Sequence, residues 1–481
     1  MTELDRHSTK AEELRLLAEA AKEHPELFEK RSYIEDDIIL GEFGIVIPDK
    51  KAFPEGYLKL WPQDFIVEEI MSDGNVATVT RENILDSEII LEQGSTTFAT
   101  LVKCGLSTIE VVEYLAKQLG CDRKAIGYAG IKDKDALTSQ RISFRKVSLQ
   151  KLKNVSSSYF FLKDVVAGKG VVATADLQGN RFTVLVRTEQ SFFETASFEN
   201  FVENLKTVQQ HGFANFFYLQ RFGTPRLANY HWGLSILKGD YRQAVYDTLT
   251  FPAEREQPYF RALRQMIADD FGNWEQVHEI LAPFPIIFRH EIKIVQYLQS
   301  HPDDFVGALN QIPDQISLWV YALASRYFNE AISSYQGSDR PLPETLPLLL
   351  SFNKSDWQPY ETSLKRDGIY PPPFQNLRPF PFIQMRPRSL PTTDRATILG
   401  VEAVEQGLIL SFELNKGQYA TTFLSHLFNL ISGLPPEYLV TEPGDIKEPL
   451  GEASIKDTLD YFAPIIHSKI ENASETTTEI G

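Results

Sequence analysis

The sequence predicts an α+β protein of more than one domain, in which a strand-rich body is interrupted by a helical block. Three observations carry this reading. Alternating apolar and polar runs recur up to residue 226, a helical, Pro-punctuated texture fills about Leu227 to Pro379, and alternation returns in "GLILSFELNKGQYATTFLSHLF". At 481 residues the chain exceeds the size at which one core grows comfortably. The expected division is a helical appendage over 1–50, a split body over 51–226 and 381–434, an inserted domain over 227–380 and an acidic tail over 435–481.

Taken in order, "AEELRLLAEAAKEH" has the apolar spacing of one helix and is followed by an irregular connection. "GYLKLWPQDFIVEEI" alternates on both sides of Pro62, which predicts two strand segments broken at a turn. In "LSTIEVVEYLAKQLG", Ser107 and Glu110 form a capping box and Gly120 supplies the stop, so a helix is expected between them. "RISFRKV" and "GNRFTVLVR" alternate as strands, the second with Phe182, Val184 and Val186 on one face. Between that helix and the strand "RISFRKV" runs "GYAGIKDKDALTSQ", read as a charged loop. "DQISLWVYALASRYFNEAISSY" reads as a helix of the inserted domain. From Pro435 onward ten acidic residues face three basic ones, and the terminus "NASETTTEIG" is expected to be mobile.

Composition excludes several classes. The chain is 43% hydrophobic and 23% charged, as in ordinary globular proteins, and has no apolar run long enough to cross a bilayer. Its first residues mix charges throughout and lack the plan of a secretory signal, so a cytoplasmic setting is expected. The two cysteines, Cys104 and Cys121, offer neither zinc spacing nor a disulfide framework. No GxxxxGK[ST] loop, dinucleotide fingerprint, HExxH pair, complete calcium loop or GxSxG elbow occurs, which argues against a nucleotide cofactor or a metal.

The net charge of −17 disfavours indiscriminate nucleic-acid binding, yet residues 121 to 153 carry nine Lys or Arg against three Asp. A carboxylate inside such a positive island stays ionised and can serve as a nucleophile. Aromatics elsewhere could stack on an extruded base while Arg and Lys hold the adjoining phosphates. Read without further context, a charged turn is more often a solvated loop than a site.

The motif settles which reading is stronger. Gly130, Lys132, Asp133, Lys134, Ala136, Thr138, Gln140, Ile142 and Ser143 meet every fixed position of G-x-K-D-[KR]-x-A-x-T-x-Q followed by an apolar residue and Ser or Thr, and so the chain resembles the TruD family of tRNA pseudouridine synthases. "WPQDFIVEE", "LVKCGLSTIEVVEYLAKQLG", "GNRF", "NFFYLQRFG", "SRYFN" and "KGQYATTFL" are similar to family segments and follow in family order over about residues 56 to 428. The resemblance implies a pseudouridine synthase fold, with a mixed, mainly antiparallel sheet and an inserted α/β domain. It also implies isomerisation of uridine to pseudouridine, with uridine 13 of tRNA as the usual target and without metal, ATP or redox cofactor. RNA is the expected partner.

Carried over residue by residue, Asp133 aligns with the catalytic aspartate and Lys59 with its basic partner. Phe182 aligns with the aromatic that stacks on the target base, and Asn180 with the residue that braces the active-site loop or makes an Asx turn. Gln140 and Thr138 are expected to tether that loop, and Lys132 and Lys134 to form a phosphate-attracting edge. Arg221, with Gln220 and Phe222, is expected either to support the cleft beside the inserted domain or to be a structural ion-pair partner. Two departures stand out: Tyr218 replaces a usual Gly, and Leu177 and Gln178 precede Gly179 where a His is common. A catalytically silent RNA-binding or RNA-chaperone protein on the same fold is the alternative.

Overall fold

A computed structural model describes residues 3–28, 31–84, 96–336 and 338–470. Eleven strands form the central sheet: β1 (Ser32–Ile34), β2 (Glu55–Leu58), β3 (Phe65–Met71), β4 (Thr96–Lys103), β5 (Ile126–Tyr128), β6 (Leu137–Arg145), β7 (Phe160–Gly168), β8 (Leu177–Arg187), β9 (Thr397–Val404), β10 (Gly407–Asn415) and β11 (Asn429–Gly433). The main order is β1-β11-β2-β8-β3-β6-β4-β7, with β10 also beside β8, β9 beside β10, and β5 beside β6. Only β11 with β2 and β3 with β6 run parallel. The mixed, mainly antiparallel sheet is therefore as expected.

β8 organises this sheet. Along one edge it pairs with β10 from Gly179 to Arg187; on the other it pairs first with β3 and then with β2. β2 and β3 share that edge end to end, so the chain between them must turn a corner. The corner is residues 59–64, ending in the short 3-10 turn Pro62–Asp64. It is locked from below by a fully buried bidentate pair, Arg187 Nε to Asp64 Oδ2 at 2.8 Å and Nη2 to Oδ1 at 2.9 Å.

Alternation along the strands sorts the two faces. Phe65, Val67, Phe182, Val184 and Phe412 point into one large core that continues into the inserted helices. Ile66, Leu137, Leu185 and Ile409 point the other way, where Ile446, Ile455 and Phe462 cover them. The helix Thr108–Leu119, capped by Ser107 and ended by Gly120 at φ 60°, packs on Ala99, Leu101, Ile142 and Phe144.

The inserted block, from Asn229–Lys238 to Glu361–Arg366, holds eight α-helices among the described residues. Its β component is a single short strand, Thr345–Pro347, paired with Ser389–Pro391. Helices Asn229–Lys238 and Pro313–Tyr335 cross so closely that a Cβ on Gly233 would collide with the Trp319 carbonyl. The buried Asn329 of "SRYFN" binds Phe217 through both its N–H and C=O and also reaches Phe43 O at 3.0 Å. That one amide joins the insert, the "NFFYLQRFG" segment and the N-terminal region.

Neither end of the chain hangs free of the body within the described residues. The helix Glu3–Glu23 places Glu13 where its carboxylate accepts from Ile286 N and Ile287 N, at 2.5 and 3.3 Å. Residues 32–34 add a strand to the sheet, and the buried Lys50 donates to Ser425 O and Phe428 O at 2.7 and 2.5 Å. The acidic segment beyond Pro435 is tied down by Arg187, which donates to Val440 O and Glu442 O, and by Lys447, which pairs with Glu68 and Glu452. The terminus "NASETTTEIG" lies outside the described residues. No described helix is long and apolar enough to cross a membrane.

Candidate active site

The signature loop leaves β5, passes Asp133 and enters β6 at Leu137. A loop this rich in charge stays in one conformation only if its backbone groups have partners. Gln140, wholly buried, donates from Nε2 to Gly130 O at 3.0 Å and accepts from Thr108 Oγ1 at 2.7 Å. Thr108 Oγ1 in turn accepts the Lys132 N–H at 2.9 Å. Lys103, at the end of β4 and also fully buried, donates from Nζ to the Asp133 carbonyl at 2.6 Å. The loop is thus pinned at Gly130, Lys132 and Asp133.

Lys132 turns inward. Its ammonium lies 2.8 Å from Glu69 Oε2 and 2.7 Å from Asn180 Oδ1, and its side chain is 5% exposed. The expectation that it forms part of a phosphate-attracting edge is therefore corrected: Lys132 is an internal bolt, and Asn180 braces the loop through it. Lys134, the next lysine, is exposed as expected of such an edge. Thr138 shares the sheet face of Gln140 but its hydroxyl has no hydrogen-bond partner among the described residues, so Gln140 is the tether and Thr138 is not.

Asp133 points the other way from its lysine neighbours' backbone contacts, with its side chain 40% exposed. Its Oδ2 takes a hydrogen bond from Lys59 Nζ, and its Oδ1 accepts the Asp135 N–H at 3.1 Å. Burial works to raise the carboxyl's pKa, but the Lys59 charge and hydrogen bond, the Asp135 N–H and the Lys103 charge outweigh it and hold the pKa below the ordinary value. Burial also pushes the Lys103 ammonium down to about 8, with Asp133 opposing. The product is an ionised, reachable carboxylate on a rigid loop.

Lys59 occupies the corner between β2 and β3 at φ 58°, and its ammonium lies 4.4 Å from the centre of the Phe65 ring. Phe65 meets Phe182 edge-on at 6.0 Å, and Phe182 stacks on Phe412 at 5.3 Å. Phe182 therefore stands on the same face as the Lys59–Asp133 pair, but one side of its ring is already covered and it is only 6% exposed. Arg221 makes its contacts elsewhere. It donates to Tyr419 Oη at 3.0 Å, sits 5.0 Å over the Phe217 ring, and lines both a cavity of about 500 Å³ and one of about 890 Å³ beside the inserted helices. These two contacts are aromatic, which favours cleft support over a structural ion pair. Neither cavity is lined by Asp133 or Lys59.

Tyr218, where the family usually has Gly, has ordinary extended backbone at φ −84°. Its hydroxyl donates to Glu35 Oε2 at 2.5 Å, and Glu35 also faces Arg255. The substitution thus fastens the N-terminal region to the body.

Sequence reasoning missed Lys103, Glu69 and Thr108. A lysine within the apolar alternation of "TTFATLVKCG" is a signal for the first, since a buried lysine in a strand demands a partner. No local signal marks Glu69 as the mate of Lys132.

Known proteins are similar to the chain across this arrangement. The family model described as tRNA pseudouridine synthase D (TruD) matches residues 50–347. "Probable tRNA pseudouridine synthase D" of Methanococcus vannielii is 28% identical over 382 residues, covering 76% of this chain and 93% of the relative. A protein of Methanocaldococcus jannaschii named "Probable tRNA pseudouridine synthase D 2" is 26% identical over 77% of this chain and 91% of its own. The crystal structure of the "Putative tRNA pseudouridine synthase D (TruD)" from Methanosarcina mazei shares the fold with a TM-score of 0.60 at 22% identity, covering 81% of this chain and 97% of that one. With the family model matching well over half its length, the chain belongs to the tRNA pseudouridine synthase D (TruD) family.

Proposed function

We propose that this tRNA pseudouridine synthase isomerises uridine 13 of tRNA, with Asp133 as the nucleophile. In this reading the Asp133 carboxylate attacks C1′ of an extruded uridine, or assists elimination at the sugar, as the bond to N1 breaks. The freed uracil anion rotates and its C5 bonds to C1′ as the Asp133–C1′ ester bond breaks or, in the elimination route, as the proton taken from the sugar returns to it. C5 then gives its proton to solvent and N1 takes one up. The first step, attack or proton abstraction at the sugar, needs an ionised carboxylate that the substrate can reach. The supporting observation is the Lys59–Asp133 contact on a loop pinned by Gln140, Thr108 and Lys103.

Lys59 keeps the carboxylate charged and directs it. Phe182, backed by Phe412, is the ring on which the target base stacks when substrate enters, while Asn180 and Lys132 keep the loop registered against β8. Lys134 and Arg221 meet RNA phosphates, and Gln140 acts through the loop.

Asp133→Asn preserves the side-chain shape and removes the nucleophile. Pseudouridine formation on unmodified tRNA is expected to vanish while RNA affinity stays near that of the wild type; turnover by the variant would sink the mechanism. Phe182→Ala is expected to remove about 1–3 kcal/mol of base stacking, read as weakened single-turnover kinetics on RNA. Because Phe182 is largely buried, Phe182→Leu serves as the packing control, and equal rates for the Leu variant and the wild type would assign Phe182 to the core alone.

A further inference from the structure

Lys59 is a non-glycine residue held in the left-handed region, at φ 58°, at the corner between β2 and β3. An L side chain adopts that conformation only where its surroundings impose it. The carbonyls on either side of Lys59 are both taken by one distant residue. Leu60 O accepts the Lys469 N–H at 2.9 Å, and Leu58 O accepts from Lys469 Nζ at 3.1 Å. The same ammonium lies 4.8 Å from the ring of Tyr57, which is wholly buried. Two hydrogen bonds from one residue to Leu58 and Leu60 fix the backbone flanking Lys59, and with it the direction in which the Lys59 side chain leaves the chain.

Lys469 lies far beyond the part matched by the family model, which ends at residue 347, and within the segment whose composition reads only as an acidic tail. We propose that Lys469 is a positioning residue for the isomerisation: by bonding the Leu58 and Leu60 carbonyls it holds Lys59 in the conformation that aims its ammonium at Asp133. The proposal rests on the reading of Asp133 and Lys59 as catalytic partners. It makes residues beyond Pro435 part of the active site's framework. Burial, and next the Lys59 charge, bring the Lys469 pKa down to about 8 against the pull of Asp135, Asp64 and Asp133, which agrees with a lysine close to this centre.

The test is a double-mutant cycle on the full-length enzyme, reading single-turnover pseudouridine formation and tRNA affinity separately. Lys469→Met is expected to slow the chemical step roughly 10- to 100-fold, with affinity within about twofold and with Lys469→Arg recovering most of the rate. Combined with Lys59→Met, it should cost nothing beyond Lys59→Met alone, because the one residue acts through the other. A wild-type rate for Lys469→Met, additive losses in the double variant, or affinity falling in step with rate would overturn the proposal, the last in favour of direct phosphate contact. If Lys469→Met fails to fold, Lys469→Gln, polar but one bond too short to keep the Leu58 O contact, must slow the chemical step and show the same non-additivity. A wild-type rate for Lys59→Met would instead remove the reading of Lys59 beneath it.

Discussion

Asp133 shows how little sequence neighbourhood says about electrostatics. Its adjacent lysine, Lys132, spends its charge on Glu69 and Asn180, whereas the charges that hold Asp133 ionised come from Lys59 and Lys103, at other strand ends. A carboxyl with a depressed folded pKa stabilises the fold above its unfolded value and loses that contribution as pH falls through the folded one. The same shift sets the acid limb of activity. Lys59→Met keeps the apolar stem over Phe65 and removes the largest lowering contribution, so the Asp133 pKa should rise. The acid limb of kcat/KM against pH should then move upward by about 1–3 units, with residual turnover at high pH. An unmoved acid limb would mean that Lys59 does not govern the ionisation of Asp133.

At the scale of elements, the loop, the helix Thr108–Leu119 and β6 form one hydrogen-bonded unit. Thr108 belongs to the first turn of the helix, and its hydroxyl joins the loop's Lys132 N–H to the strand's Gln140. Thr108→Val is isosteric and strands both partners in a dry interior, which should cost about 1–3 kcal/mol and depress activity beyond the loss of folded protein. Thr138→Val on the same face leaves no protein partner behind, so it should cost less. Urea unfolding of the two variants tests the order, and an equal or reversed cost would show that Thr108 is not the fastening. Much of this unit was legible. The capping box and Gly120 mark the helix because they satisfy its orphan groups locally, and alternation marks β3, β6 and β8 because one pleat faces a core. The start of β6 was not, since "ALTSQ" is polar and reads as loop; Ser139 and Gln140 are inside because they bond Ala77 O and Gly130 O, partners no local pattern reveals.

Across the described residues, burial lowers the pKa of three lysines whose ammonium groups bond carbonyls: Lys50 to about 7, and Lys103 and Lys469 to about 8, against an ordinary 10.5. Two of them tie described residues near the chain's ends to the body: Lys50 anchors the N-terminal region to the 425–428 turn, and Lys469 anchors its segment to the Lys59 corner. Such groups leave a signature in the pH dependence of stability. Between the folded and unfolded pKa values the unfolded chain binds the proton and the folded chain does not, so stability rises with pH, by up to ~1.4 kcal/mol per pH unit for each lysine. The rise should run from about pH 7 to about pH 10. Beyond it the sign reverses, because Tyr57, Tyr218 and Tyr360 are held protonated by burial and would ionise once unfolded. Lys50→Met, which keeps the buried volume and drops the charge, should be less stable near neutrality only through its lost carbonyl contacts and should flatten the rise. Urea midpoints of the first unfolding transition across that range, for wild type and variant, decide it. A wild-type profile that falls steadily from pH 7, or a variant with an unchanged slope, would show that Lys50 is charged in the folded protein and that its anchoring depends on that charge.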